Sequence, residues 1–392
     1  MNYKKLVEEF KLDCRKATEG LRDGLGKKHI RSDELDLTRL FIECFGYSEF
    51  DHYRSNSHYS TEQVLREAGP IMTTSFQNIS QQFLSAVYQD AYDVPTQVFT
   101  PLIPTVKTTR RFERVPGVGH IGDEFDGVVD EGKEYANVGL SEDWVDTPQV
   151  LKRGKKAAIT KETIIFEETG LVVARVSQLG DWLGVNKEKR AIDCVIDGNT
   201  TAHRYNWQGS VYASYQTTTP WINRSTSNSL TDYKSLDSAR QVLMAITDPQ
   251  TGEPQNLQVK HLIVAPENYA SANVALAPEV SVATPGYATS ANPVRGTIPN
   301  PMTKAMGITP DIVSSQLLKS RLTAASIATT GWFLGDIGAY AEYKEVWPDT
   351  FEQLGAMGAK DEFDRDVVQQ FKASGMGAFR VKQPRKLLYA SA

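Results

Sequence analysis

The sequence predicts an α+β protein built from helices at the front, an extended β-rich segment, one long helix, a mixed domain and closing strands. Three observations predict it. Val172, Val176, Leu179 and Leu183 recur at spacings of four, three and four, and Ile192 and Val195 continue one face, the period of a helix with one apolar side. Two stretches rich in β-branched and basic residues, Thr105–Val115 and Val150–Thr163, flank a glycine-dotted acidic segment. The tail, Glu362–Ala392, reads as consecutive strands separated by Gly375 and Pro384. At 40% hydrophobic and 23% charged, the 392 residues can bury a sizeable core in two or three domains, which excludes global disorder.

Taken in order, Tyr3–Gly20 and Asp33–Phe45 have helical patterning, with Ser32 or Asp33 as N-caps. A short helix is expected from Ser60 or Thr61 through Leu65, stopped at Gly69–Pro70. Phe76–Tyr92 sets Ile79, Phe83, Val87 and Ala91 four apart on one helix face. Pro95, Pro101, Pro104 and Pro116 then call for extended chain, because proline fixes φ and removes a donor. Residues 120–147 hold nine acids and one base, Lys133; Lys152, Arg153, Lys155, Lys156 and Lys161 then reverse the sign. So long and aliphatic-poor a segment is expected to protrude as a hairpin that orders on a partner surface. The helix from Gly170 to about Gly198 spans roughly 39 Å at 1.5 Å per residue, and Gly180 and Gly184 are expected to bend it. Within 200–345, Asp232 caps a helix carrying Leu236, Ala239, Leu243 and Ile246, and HLIVA (His261–Ala265) is a short buried strand. Residues 278–303 contain five prolines and read as a surface loop, while Ile308–Val313, Gly331–Leu334 and Ala341–Trp347 read as further strands.

Few residues point to catalysis. Gly117-Val118-Gly119-His120-Ile121-Gly122 matches G-x-G-x-x-G, but RRFERVP precedes it and the acidic DEFDGVVDEG follows. That context lacks the apolar strand and the helix start that hold a pyrophosphate. The acidic segment fails as an EF-hand, with Phe125 and Gly127 where oxygen ligands belong after Asp123. Cys14, Cys44 and Cys194 lie too far apart for a disulfide framework and read as buried small apolar residues, and His52 and His58 have no nearby Cys to make a zinc site. The carboxylates Glu167–Glu168 and Asp361–Glu362–Asp364 sit at element edges, where capping or solvation accounts for them. No enzyme, cofactor or metal is expected. A net charge of −5, from 43 Lys plus Arg and 48 Asp plus Glu, speaks against a dedicated nucleic-acid binder. No apolar run approaches the ~18 residues of a membrane span, and MNYKKLVEEFKLDCRK lacks the apolar stretch of a secretion signal, so a soluble protein made in the cytosol is expected.

The order of parts is the informative signal, and three stretches carry it: KRGKKAAITKETIIFEETGLVVARVSQLGDWLGVNKEKRAIDCVIDGN, HLIVAPENYASANVAL, and DEFDRDVVQQFKASGMGAFRVKQPRKLLYASA. Over about residues 75–392 the chain resembles the Hong Kong 97-type major capsid proteins of tailed bacteriophages and related gene-transfer particles. The resemblance implies an N-terminal helical segment and extended arm (1–105), an extended acidic loop (106–150), a peripheral domain with a spine helix (151–199 and 346–392) and an axial domain (200–345). It implies self-assembly into hexamers and pentamers, an icosahedral shell around double-stranded DNA bound without sequence specificity, and portal, scaffold or decoration partners. The setting would be a virion capsid assembled in the host bacterial cytoplasm, with no membrane. The alternatives are an encapsulin-like nanocompartment shell, which shares the fold, and a soluble α+β enzyme. Certain family members crosslink a loop lysine to a peripheral-domain asparagine. Lys133 is such a loop lysine, but residues 346–392 contain no Asn, so no crosslink is expected. Residues 1–70 are shorter than the scaffolding segment of many members and are expected to stay as a helical arm.

The charges fit this reading. Acids Asp123, Glu124, Asp126, Asp130, Glu131 and Glu134 complement two basic bands, Lys152, Arg153, Lys155 and Lys156, and Arg380, Lys382, Arg385 and Lys386. These are the expected intersubunit contacts. Each exposed pair is worth only ~0–1 kcal/mol, so their effect depends on many copies acting together.

Overall fold

Short helices begin where an aspartate can cap them. Helix α1 (Tyr3–Leu12) is followed by Asp13, whose carboxylate accepts from the Lys16 backbone N–H and starts α2 (Cys14–Gly26). Helix α3 (Leu37–Phe45) starts later than Ser32 or Asp33: Asp36 is extended, and its Oδ1 accepts from the N–H groups of Thr38 and Arg39. Helix α4 is Tyr47–Ser55. Helix α5 (Pro70–Tyr92) begins at the proline expected to end a helix. In a first turn proline loses no hydrogen bond, and its fixed φ suits the helix.

The structure, a computed structural model, describes residues 3–27, 29–30, 35–55, 70–93, 97–112, 114–116, 129, 131–132, 134, 144–146, 148–160, 166, 169–197, 204–207, 209–218, 221–247, 257–283, 295–300, 310–354 and 367–391. Outside them lie the Ser60–Leu65 helix, the G-x-G-x-x-G stretch, His58, Glu167–Glu168 and Asp361–Glu362–Asp364. The chain forms two units, one of Met1–Pro95, Lys152–Asn186 and Trp347–Met376, the other of Thr96–Leu151, Lys187–Val346 and Gly377–Ala392.

In the first unit, α1 to α3 and α5 pack with the beginning of α6 (Thr169–Val195) around Phe10, Leu40, Phe41, Phe83, Val176 and Leu183, all essentially inaccessible. Each such side chain contributes about 1.5–3 kcal/mol on burial. The expected faces are the buried ones: Ile79, Phe83, Val87 and Ala91 on α5, and Val172, Val176, Leu179 and Leu183 on α6. Gly180 is a contact point, since a Cβ there would lie 2.5 Å from the Tyr88 carbonyl oxygen of α5. Strands β4 (Leu151–Thr160), β13 (Ala341–Leu354) and β14 (Val367–Val381) are ordered β13-β14-β4. Strand β14 runs unbroken through Gly375, where two strands were expected. The missing side chain there makes room for Asp349, which accepts a 2.7 Å hydrogen bond from the Tyr92 hydroxyl.

In the second unit, β8 (His261–Val264), β12 (Trp332–Gly335) and β15 (Leu387–Ala390) lie inside a sheet ordered β11-β8-β12-β15-β7, edged by β11 (Asp311–Val313) and β7 (Arg224–Ser225). Both faces of this sheet are buried, which explains why HLIV, WFLG and LLYA are apolar without alternation. Leu262, Val264, Trp332, Leu334 and Leu388 face one core; Ile263, Phe333, Leu387 and Tyr389 face the other. The first core is closed by α7 (Tyr233–Met244), held by a capping box between Asp232 and Ser235, with Leu236, Ala239, Leu243 and Ile246 buried as expected. The second is closed by residues 187–195 of α6 and by α8 (Gln316–Ala324), joined through Arg321, whose Nε and Nη2 bind Asp193 at 2.6 and 2.9 Å. The proline-rich 278–303 stretch, expected as a loop, contains an antiparallel pair, β9 (Glu279–Ala283) and β10 (Arg295–Pro299). Asn300 closes it, its amide donating to the Ala275 and Ala277 carbonyls.

Candidate functional site

The acidic segment is attached by two devices. Strand β2 (Arg114–Pro116) enters it and β3 (Trp144–Asp146) leaves it, paired antiparallel as Arg114↔Asp146, Val115↔Val145 and Pro116↔Trp144. The hairpin base thus lies at 114–116 and 144–146, whereas the sequence predicts the flanking strands at Thr105–Val115 and Val150–Thr163. Strand β3 continues onto β5 (Arg204–Trp207) and β6 (Ser210–Tyr212), and the Asn206 amide donates to Asp146 at 2.8 Å. Upstream, β1 (Thr105–Lys107) lies parallel beside β13.

Glu188 fixes the chain before β1. It is fully buried on α6, and its carboxyl oxygens accept from the backbone N–H groups of Val98, Phe99 and Thr100 and from the Thr100 hydroxyl, at 2.7–2.9 Å. Three successive N–H groups converging on one carboxyl make a nest, and the lead-in to the acidic segment is thereby fixed to a rigid helix. The sequence reading missed this residue inside the run NKEKR. The signal was present: Glu188 stands four before Ile192 and seven before Val195, a charge on an apolar face.

Past the end of α6, Asp197 adopts φ +50° and lines a cavity of about 540 Å³ together with Tyr215, Arg224, Phe333, Tyr389 and Ser391. Its Oδ2 accepts from the Ser214 N–H at 3.0 Å, while its buried Oδ1 has no hydrogen-bond partner. Burial pushes its carboxyl up to about 6, against the lowering effect of the Ser214 hydrogen bonds. Nearby Cys194, Tyr215 and Tyr340 are likewise raised, by burial first and then by neighbouring negative groups.

Residues 144–390, from β3 into the last strand, match the family model described as phage capsid protein. The chain belongs to that family. The Hong Kong 97-type resemblance and the α+β fold expected from the sequence are borne out, and this capsid protein serves in a shell. No curated protein matches the sequence. Solved structures similar to it include the virus-like particle from Pyrococcus furiosus, at 13% identity and TM-score 0.43, covering 79% of this chain and 98% of that one. The cyanophage Pam1 capsid is similar at 10% identity and TM-score 0.45, covering 76% and 92%. The capsid of a native GTA particle is similar at 11% identity and TM-score 0.42, covering 75% and 89%.

Within the capsid protein, the residues expected at subunit contacts fall into distinct places. Glu131 and Glu134 are exposed, and Asp123, Glu124, Asp126 and Asp130 lie outside the described residues. Lys152, Lys155 and Lys156 are exposed on β4 and Arg153 is half-buried; Lys152 lies over Trp347 and Lys155 over Trp182, with Nζ 5.6 and 4.2 Å from the ring centroids. Such contacts set the ammonium groups against the ring faces while the side chains stay exposed. The C-terminal band is divided. Lys382 is exposed and Lys386 half-buried, but Arg380 is buried on Glu342 and Arg385 is fully buried in the turn Pro384–Lys386. Arg380 lies on the strand face opposite Phe379 and Val381 and is buried because Glu342 meets it there, a distinction that charge counting misses. The Lys386 ammonium is lowered by burial first and then by the Arg385 charge. Cys44 and Cys194 are buried, as expected of small apolar residues, and burial pushes the Cys44 thiol up to about 12. Among the described residues no His, Cys, Asp and Glu group could hold a metal ion, and no helix is long and apolar enough to cross a membrane.

Proposed function

We propose that the chain is a major capsid protein that assembles with copies of itself into hexamers and pentamers and closes an icosahedral shell around double-stranded DNA. The observation that carries this reading is the family match from the hairpin base to the final strands. Residues 1–105 serve as arm, 106–150 as the loop that lies on a neighbour, 151–199 with 346–392 as peripheral domain and 200–345 as axial domain. The loop acids, with Glu131 and Glu134 exposed, meet the basic face of a neighbour's β4, where Lys152, Lys155 and Lys156 point outward, together with Lys382. The role is structural, without catalysis; portal, scaffold or decoration proteins complete the particle in the host bacterial cytoplasm.

Negative-stain microscopy of the expressed protein, followed by nuclease treatment of purified native particles, tests the reading. Shells tens of nanometres across with protected DNA are expected; a uniform monomer under all conditions, or shells enclosing protein and no nucleic acid, overturns it. The contact is tested by reversing Lys155, Lys156 and Lys382 to glutamate. These side chains are exposed, so the subunit should fold while assembly fails or shifts to higher protein concentration. Unchanged assembly across salt concentrations sinks the contact.

A further inference from the structure

Strand β4 forms the edge of its sheet. It pairs with β14 on one side and, among the described residues, with no strand on the other, along ten residues of which only Ile159 is buried. An edge of that length is a template for one more strand, since backbone N–H and C=O groups line it. Its two faces differ. On the odd-numbered face Ile159 enters the apolar core, Ala157 packs half-buried against that core, and Lys155 lies over the Trp182 ring. On the even-numbered face Lys152 and Lys156 stand four residues apart with only Gly154 between them, and Lys152 lies over Trp347. Lysines on an edge deter indiscriminate pairing and admit an acidic strand.

A strand that fits must carry acids four residues apart on one face and apolar residues on the other. Residues 124–131, EFDGVVDE, do so. Extended chain sets Asp126 and Asp130 about 13 Å apart, at ~3.3 Å per residue, the spacing of Lys152 and Lys156, and turns Phe125 and Val129 to the opposite face. The turn at Glu131–Gly132, with Gly132 at φ +86°, ends such a strand at Asp130. With Val128 over Gly154, both strand directions match the acids to the lysines. The antiparallel one also sets Phe125 opposite Ala157 and Gly127 opposite Lys155, whereas the parallel one sets Glu131 against Ala157 at the margin of the core. The segment leaves its own subunit from Pro116↔Trp144, the end of the hairpin base remote from Asp146 and from the chain leading into β4. We propose that residues 124–130 of a second copy add to the edge of β4 as an antiparallel strand, with Asp126 opposite Lys156 and Asp130 opposite Lys152. This pairing rests on the shell-subunit reading above, in which the loop lies on a neighbour, and adds backbone hydrogen bonds to a contact otherwise made by side-chain charges.

The register is tested by crosslinking the full-length protein. Subunits carrying Lys156→Cys are mixed with subunits carrying Asp126→Cys, assembled and oxidised, and mass spectrometry separates their linked peptides from those of the native Cys14, Cys44 and Cys194. A disulfide needs Cα atoms within ~7 Å, so position 156 should join 126 of another copy, while a mixture of Lys156→Cys with Asp130→Cys, about 13 Å out of register, should stay unlinked. The backbone is tested by proline, which removes an N–H and keeps every charge. Neighbouring N–H groups of a strand point to opposite edges, so Val128→Pro and Val129→Pro are made separately, each beside its alanine counterpart. One of the two prolines should raise the protein concentration needed for half-assembly about tenfold, with the alanines near wild type. Linkage of 156 to 130, linkage of 156 to 126 within one unassembled subunit carrying both cysteines, or no linkage in assembled particles overturns the proposal. So does normal assembly of both proline variants, which leaves the charge contact and the shell standing; wild type that forms no shell removes the reading beneath it.

Discussion

Asp197→Asn should stabilise the folded subunit at neutral pH. Asp197 is 6% exposed, with one oxygen satisfied by the Ser214 N–H and the other unpartnered. Burial raises its carboxyl from 3.8 to about 6, so between those values the folded chain binds a proton that the unfolded chain does not. The stabilisation from that proton is complete below about 3.8 and is lost as pH rises through about 6. Each pH unit is worth ~1.4 kcal/mol, so the buried charge costs up to ~3 kcal/mol above that range. Asparagine keeps the acceptor for Ser214, carries no charge and tolerates the left-handed φ of +50°. Allowing for the burial of its amide, the variant should gain about 1–3 kcal/mol at about pH 7.5 and converge with wild type near pH 4. Urea unfolding of the unassembled subunit, followed by tryptophan fluorescence, measures both. The other carboxylates titrate equally in the two proteins, so their difference isolates this residue. A variant less stable than wild type at neutral pH, or a gap that does not change with pH, refutes the reasoning.

Two further predictions concern how the elements are held. Glu188→Ala orphans three backbone N–H groups and the Thr100 hydroxyl in the interior; it should cost about 3–5 kcal/mol, with earlier proteolysis near residues 97–112 read by mass spectrometry. Glu188→Gln retains one carbonyl acceptor and should fall between alanine and wild type by the same assay. Gly180→Ala places a Cβ against the Tyr88 carbonyl of α5, and thermal unfolding should show a loss of about 1–3 kcal/mol although alanine is the better helix former.

Elements whose burial follows a short period were legible. The faces of α5, α6 and α7 and the strands HLIV, WFLG and LLYA follow from apolar spacing, because the hydrophobic effect acts on each side chain where the local period puts it. Boundaries were less legible. Asp36, rather than Ser32 or Asp33, starts α3, and α5 opens at Pro70, ahead of the expected Phe76. Gly375 reads as a separator of strands, yet it lies inside a continuous strand beside Asp349, and Gly180 lies inside α6 where the Tyr88 carbonyl comes close.

By itself, the sequence determined the α+β class, the order of parts and the place of the acidic segment, all of which depend on composition and neighbours along the chain. Tertiary structure alone decided which charges are available to a partner. Lys155 and Lys382 face outward, while Arg380, Arg385, Glu188 and Asp197 are buried. The reason is physical: a charge enters the interior only where distant residues supply its hydrogen bonds, and those distant partners are brought together by the fold rather than by spacing in the chain.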